Sequence, residues 1–155
     1  MRTITIVIFL FLISIFPIST KAQAPVPPEI PQAVTEEEVR RFMDEYTARY
    51  MRLDLDAFMD LFSKEAVENR MLPYADIREM YRKNFADSKS LQYNLNISSI
   101  QTHARSAFAS GRYEIIQIPN KGRAVVYRGN IQFDLIRENG SLKIREINYG
   151  RIRYD

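Results

Sequence analysis

The chain has no cysteine and no tryptophan, and its single histidine is His103. Without cysteine there is neither a disulfide framework nor a thiolate metal site, and no lipid-bearing cysteine follows the N-terminal apolar run. One histidine makes a transition-metal centre improbable and removes any chemistry that needs a histidine pair. Only five glycines occur in 155 residues, and none forms a Gly-rich phosphate loop or a Gly-x-Ser-x-Gly elbow. No His-Glu-x-x-His is present either. Any fold must therefore hold by packing alone, and no metal or other cofactor is expected.

A strong charge of one sign is also missing. The formal net charge is +3, but Arg2 and Lys21 lie in an N-terminal stretch without acids. The remainder carries 20 Lys and Arg against 19 Asp and Glu. These divide unevenly, residues 25–90 being acidic overall and 91–155 basic. The later basic residues, Arg123, Arg128, Lys143 and Arg145, are spread along strand-like segments as on a solvated sheet face. Nucleic-acid binding is not expected.

Long apolar runs are confined to one place. After Met1-Arg2, residues 3–20 carry no charge, with Pro17 and then small residues before Lys21. A short basic start, an apolar stretch and a helix breaker make an export signal. Cleavage before Gln23 avoids leaving Pro25 at the new N-terminus. The expected organisation is a signal peptide at 1–22, a Pro-rich disordered spacer at 23–34 and one domain at 35–155, exported to a bacterial periplasm or secreted. The competing reading is an uncleaved anchor, since an 18-residue run sits at the lower edge of the roughly 17–25 that span a bilayer.

Thr35-x-x-Glu38 has the form of a capping box, with Val34 and Val39 placed as a hydrophobic staple. Apolar residues then recur at Val39, Phe42, Met43, Tyr46, Tyr50 and Leu53, a helical stripe. Asp54 is placed to cap a second helix whose apolar positions are Leu55, Phe58, Leu61 and Phe62. A third helix is expected near Ala75–Phe85, with Ile77, Met80, Tyr81 and Phe85 inward. From Leu91 the period changes to two: Leu91, Tyr93, Leu95 and Ile97 alternate with polar residues. Strands are expected around Ala107–Ile118, Val125–Leu135 and Leu142–Tyr149, with turns at Pro119-Asn120-Lys121-Gly122 and at Asn139-Gly140. The spacing of Leu142, Ile144, Ile147 and Tyr149 slips by one, which implies a bulge. Helices followed by an antiparallel meander with one wet face predict an α+β domain.

With these motifs in place, residues Thr35 to Tyr149 resemble the nuclear transport factor 2-like superfamily, which includes SnoaL-like domains and ketosteroid isomerase. The stretch Tyr50-Met51-Arg52-Leu53-Asp54-Leu55-Asp56-Ala57-Phe58-Met59-Asp60-Leu61-Phe62 resembles its helix, acidic break and second helix ending in Leu-Phe. The resemblance implies N-terminal helices in the concave face of a curved antiparallel sheet, forming a cone. It implies a pocket lined by Phe42, Tyr46, Tyr50, Phe58, Tyr81, Tyr127, Ile131 and Phe133, suited to a small apolar or aromatic ligand.

The family's chemistry transfers poorly. An isomerase-type site needs a phenol, a protonated carboxyl and a basic carboxylate. The phenol falls on Tyr46. The base falls near Asn69-Arg70, where the nearest acid is Glu68, and the second oxyanion donor falls on Ile131, which donates nothing. Dehydratase-type paired histidines are absent. A hydrolase-type Asp-Arg-Asp arrangement has only Glu114 and Glu146, with Arg112 or Arg145, as counterparts. Asp54, Asp56 and Asp60 read as capping and helix-dipole residues rather than calcium ligands.

Three functional classes follow, in this order. The first is a non-catalytic ligand-binding cone. The second is an envelope interaction module that dimerises through a sheet face bearing Arg128, Asn130, Gln132, Asp134, Lys143 and Arg145. The third is an acid–base enzyme of isomerase or hydrolase class using Tyr46 with Glu68 or Glu146.

Overall fold

The computed structural model describes residues 33–150 and the backbone of residues 152–154. The expected export signal and most of the Pro-rich spacer lie outside the described residues.

Helix α1 spans Glu36–Met51. It starts where the Thr35 hydroxyl accepts a hydrogen bond from the Glu38 backbone N–H at 3.2 Å, and Val34 and Val39 are both buried beside that cap. The expected reciprocal half of the capping box does not form. Glu38 turns instead to Arg137, a residue 99 positions away, and accepts two hydrogen bonds from its guanidinium at 2.7 and 2.6 Å. A bidentate ion pair across the domain is stronger than a return bond to one amide.

Leu53, in the left-handed region at φ 58°, turns the chain out of α1. Asp54 then caps the short helix α2, Leu55–Met59, accepting from the Ala57 N–H at 3.1 Å. Helix α2 ends earlier than its apolar pattern predicts. Phe62–Glu68 is strand β1, which turns into the two-residue strand β2 at Leu72–Pro73 before helix α3, Tyr74–Asp87. Strands β3 (Ser88–Thr102), β4 (Ser106–Pro119), β5 (Val125–Glu138), β6 (Ser141–Tyr149) and β7 (Ile152–Tyr154) complete the chain.

The sheet order is β2-β1-β6-β5-β4-β3, with β7 also paired to β5. The meander from β3 to β6 is antiparallel as expected. The sheet as a whole is mixed, because β1 lies parallel to β6. Asn139 and Gly140, at φ 48° and 83°, form the expected tight hairpin between β5 and β6. The predicted bulge in β6 is present, as a register shift opposite Asp134 and Leu135.

Curvature concentrates along one line across β3, β4 and β5. The β3 register shifts between Ile97 and Ser99, opposite Gly111. A side-chain carbon on Gly111 would lie 2.0 Å from the Asn96 carbonyl oxygen, and one on Gly129 1.9 Å from that of Gly150. Bulge and glycines together let adjacent backbones close up and bend the sheet around α1. Inside the bend a single core forms. Phe58 is completely buried and its ring touches those of Tyr46, Tyr50, Phe62, Tyr81 and Phe85 at centroid distances of 4.9 to 5.6 Å.

Candidate functional site

The interior of the cone is a tyrosine cluster. Tyr46 and Tyr50 come from α1 and Tyr81 from α3. Tyr93 comes from β3, Tyr113 from β4 and Tyr149 from β6. With Ile115 and Ile131 these six phenols line one small cavity of about 20 Å³, room for about one water molecule, which reaches the surface beside the half-buried Ile115 and Tyr149. Helical spacing brings Tyr46 and Tyr50 to one face of α1, and strand alternation turns Tyr93, Tyr113 and Tyr149 inward.

The rings pack mostly edge to face. Tyr46 meets Tyr93 at 5.6 Å with planes at 90°, and Tyr50 meets Tyr93 at 5.1 Å with planes at 75°. Burial, which disfavours the phenolate, pushes Tyr46, Tyr81 and Tyr93 well above the ordinary tyrosine pKa. Neighbouring phenols add to the shift of Tyr46, and Tyr46 and the Glu68 carboxyl add to that of Tyr81. The Tyr113 hydroxyl donates to the Gly150 carbonyl at 2.9 Å.

Behind this cluster lies a carboxyl. Glu68, at the end of β1, is 0% exposed, and its Oε1 accepts a hydrogen bond from the Tyr149 hydroxyl. Its position is fixed by the turn that follows. Asn69 and Arg70 occupy the left-handed region at φ 49° and 61°. The Asn69 N–H donates to the Ile147 carbonyl at 2.9 Å, and its side-chain oxygen accepts from the Tyr149 N–H at 2.8 Å. The same residue thus clamps both Glu68 and the strand that carries Tyr149.

Of the pocket residues expected from sequence, Tyr46, Tyr50, Tyr81 and Ile131 line the cavity. Phe42, Phe58 and Phe133 are buried in the packed core beside it. Tyr127 is half-buried on β5, paired with Ile115 and Arg153, and does not line it. Glu146 lies apart from the cavity, its Oε1 accepting a hydrogen bond from Asn148 at 2.8 Å and lying 4.0 Å from the Arg70 guanidinium. Tyr93, Tyr113, Ile115 and Tyr149 are cavity residues the sequence reading left out. Their signal was available: each occupies an inward slot of a period-two strand.

The remaining candidates have local explanations. His103 is exposed in the turn between β3 and β4, where its backbone N–H donates to Ser106 and its carbonyl accepts from Val34. Asp56 pairs with Arg78, and Asp60 lies 3.7 Å from Arg49 and 3.5 Å from Lys143. Among the described residues no group of acids and histidine is placed to hold a metal ion. On the sheet face, Arg145 pairs with Asp134 at 2.6 Å and Arg128 with Glu114. Lys143 reaches the Asp60 carbonyl, while Asn130 and Gln132 are exposed.

No protein-family model and no curated protein matches the chain. Solved structures do. A provisionally assigned aromatic ring hydroxylase from Novosphingobium aromaticivorans is similar over 76% of this chain and 92% of its own, with 21% identity and a TM-score of 0.66. A provisionally assigned scytalone dehydratase from the same species is similar over 77% and 85%, with 12% identity and a TM-score of 0.70. A nuclear transport factor 2-like superfamily protein from Salmonella enterica serovar Typhimurium is similar over 74% and 88%, with 16% identity and a TM-score of 0.64. At these identities the likeness shows the fold alone, and a mixed sheet bent around α1 agrees with it: the chain has the nuclear transport factor 2-like fold.

Proposed function

We propose that this is an exported small-molecule-binding domain whose ligand occupies the tyrosine-lined interior of the cone. The observation that carries the reading is the convergence of six phenols on one buried point. A core that only needed filling would use Phe or Leu, because each buried hydroxyl must find a partner or lose about 1–3 kcal/mol. Phenols combine flat apolar area with a polar tip, which suits a ring-shaped ligand bearing hydroxyl or carbonyl groups. At about 20 Å³ the cavity admits no such ring, so binding requires phenol side chains to turn aside.

Native mass spectrometry of the protein from the exported fraction tests this, followed by thermal shift with a panel of hydroxylated aromatics. A retained adduct, or a shift that Tyr81→Ala abolishes, supports the reading. A clean mass with no shift across the panel sinks it. The same spectrum reads the cleavage site and tests the alternative reading in which the sheet face forms a homodimer.

A second reading, acid–base catalysis on the bound ligand, draws support from the Glu68–Tyr149 hydrogen bond. A carboxyl and a phenol sharing a proton beside a cavity form a relay able to take up or deliver one. Turnover of an identified ligand that Glu68→Gln abolishes while binding persists would establish it.

A further inference from the structure

The outer surface of the bent sheet carries a second, larger hollow. An open groove of about 930 Å³ runs along the bend, lined by Asn94, Asn96, Arg112, Glu114, Arg128 and Asn130, with the Gly129 and Gly150 backbones at its floor. Strand register orders these side chains into two ladders. Asn94, Glu114 and Arg128 lie opposite one another across β3, β4 and β5, and so do Asn96, Arg112 and Asn130.

The two ladders differ electrostatically. In the first, Glu114 and Arg128 form an ion pair, and the Asn94 amide donates to Glu114 at 3.4 Å. In the second, Arg112 is exposed, makes no ion pair among the described residues, and stands between two exposed amides. A guanidinium with an amide donor on either side is a seat for one carboxylate, held bidentately by the arginine.

The neighbouring ladder adds a different capacity. It stands about 7 Å further along the strands, two residues at about 3.3 Å each. Amides both donate and accept, and Glu114 accepts. Together they match hydroxyl groups, which also do both. The two arginines and one glutamate of the described lining give a net charge of +1, too little for a polyphosphate, and Glu114 would repel one. A volume of about 930 Å³ is at the upper end of the roughly 300–1,000 Å³ of ligand sites and exceeds what a single sugar ring fills.

We infer that this groove binds an acidic oligosaccharide, a chain of sugar rings with a carboxylate seated on Arg112 between Asn96 and Asn130 and ring hydroxyls on Asn94 and Glu114. Tyr113 borders both this groove and the tyrosine cavity, but none of the side chains that would hold the ligand lines that cavity, and the inference does not rest on its reading.

The test uses the full chain and a trisaccharide of neutral sugars carrying a single uronic acid, titrated by calorimetry at low salt. Binding is expected, falling at least tenfold for Arg112→Ala and for the methyl-esterified oligosaccharide, and at least threefold for Asn130→Ala. Circular dichroism of each variant confirms that it is folded, and Asn130→Ala stands in if Arg112→Ala is not. The inference is overturned by no binding, by binding indifferent to these changes, or by equal binding of a tetra-aspartate peptide. It is overturned equally if the face proves to be covered by a second copy of the chain and Arg112→Ala alters only the oligomeric state.

Discussion

The Tyr149 hydroxyl donates its hydrogen bond to Oε1 of Glu68, a carboxyl with no exposed surface, 81 residues earlier in the chain. The bond joins the end of β6 to the end of β1, the one parallel pairing in the described sheet. Tyr149→Phe removes this donor from a buried acceptor and is expected to destabilise the fold by about 1–3 kcal/mol in chemical denaturation. Pairing it with Glu68→Leu in a double-mutant cycle should return a coupling of the same sign, since the two residues touch. Additive losses would show that the bond contributes nothing of its own.

Alkaline pH should unfold the protein. Tyr46, Tyr81 and Tyr93 have folded pKa values raised well above the ordinary value by burial. In the unfolded chain they ionise near pH 10. The folded state therefore holds more protons above that pH, so their contribution is complete below about pH 10 and is lost as pH rises from there toward the folded values. Phenolate absorbance should show these groups titrating together with loss of circular dichroism. Their smooth titration in a still-folded protein would contradict the buried arrangement.

Glu38 serves two helix-level roles, and the larger is the distant one. Its backbone N–H meets the Thr35 cap, while its carboxylate holds Arg137. Thr35→Ala is expected to cost about 1 kcal/mol. Glu38→Ala leaves a guanidinium that is mostly buried, and whose Nε already has no hydrogen-bond partner, short of both its bonds to the carboxylate. It should cost about 1.5–3 kcal/mol, and urea denaturation of the two variants ranks them.

The glycines of the bend are not equivalent. Ala at Gly111 or Gly129 would place a methyl group about 2 Å from a backbone oxygen, and a loss of at least 1–3 kcal/mol, or failure to fold, is expected. Gly150 faces open space, so Gly150→Ala should stay within about 0.5 kcal/mol of the parent. Thermal melts of the three proteins give the comparison, and equal effects would mean that the bend does not depend on close backbone approach.

Much of the fold is legible locally. Thr35, Asp54 and Asn139-Gly140 each announce a boundary through chemistry confined to a few residues, and the slipped spacing of Leu142 to Tyr149 announces a bulge. Strand β1 was hidden because its own register shift between Phe62 and Val67 spoils the alternation, and its partner β6 lies some 80 residues away. Glu68 was named from sequence as a candidate acid, but its partner was hidden for a related reason: only the sheet brings Tyr149, 81 residues later, to it. Half of the tyrosine cluster was legible, from the helical stripes that carry Tyr46, Tyr50 and Tyr81. The strand tyrosines were visible as inward residues, but only the bend makes them converge.

Strands β6 and β7 pair with β5 in one continuous register, Ile131 with Tyr149 and Arg128 with Ile152, interrupted at Gly150 where the Tyr113 hydroxyl takes the carbonyl. The last three described residues therefore guard the first part of β5. Without them, Val126 to Arg128 would present a row of unsatisfied amides and carbonyls along a rim rich in β-branched residues, the template on which a second molecule adds by strand pairing. Trimming the chain just after Gly150 would leave the tyrosine interior in place and turn a self-contained domain into one prone to aggregate edge to edge.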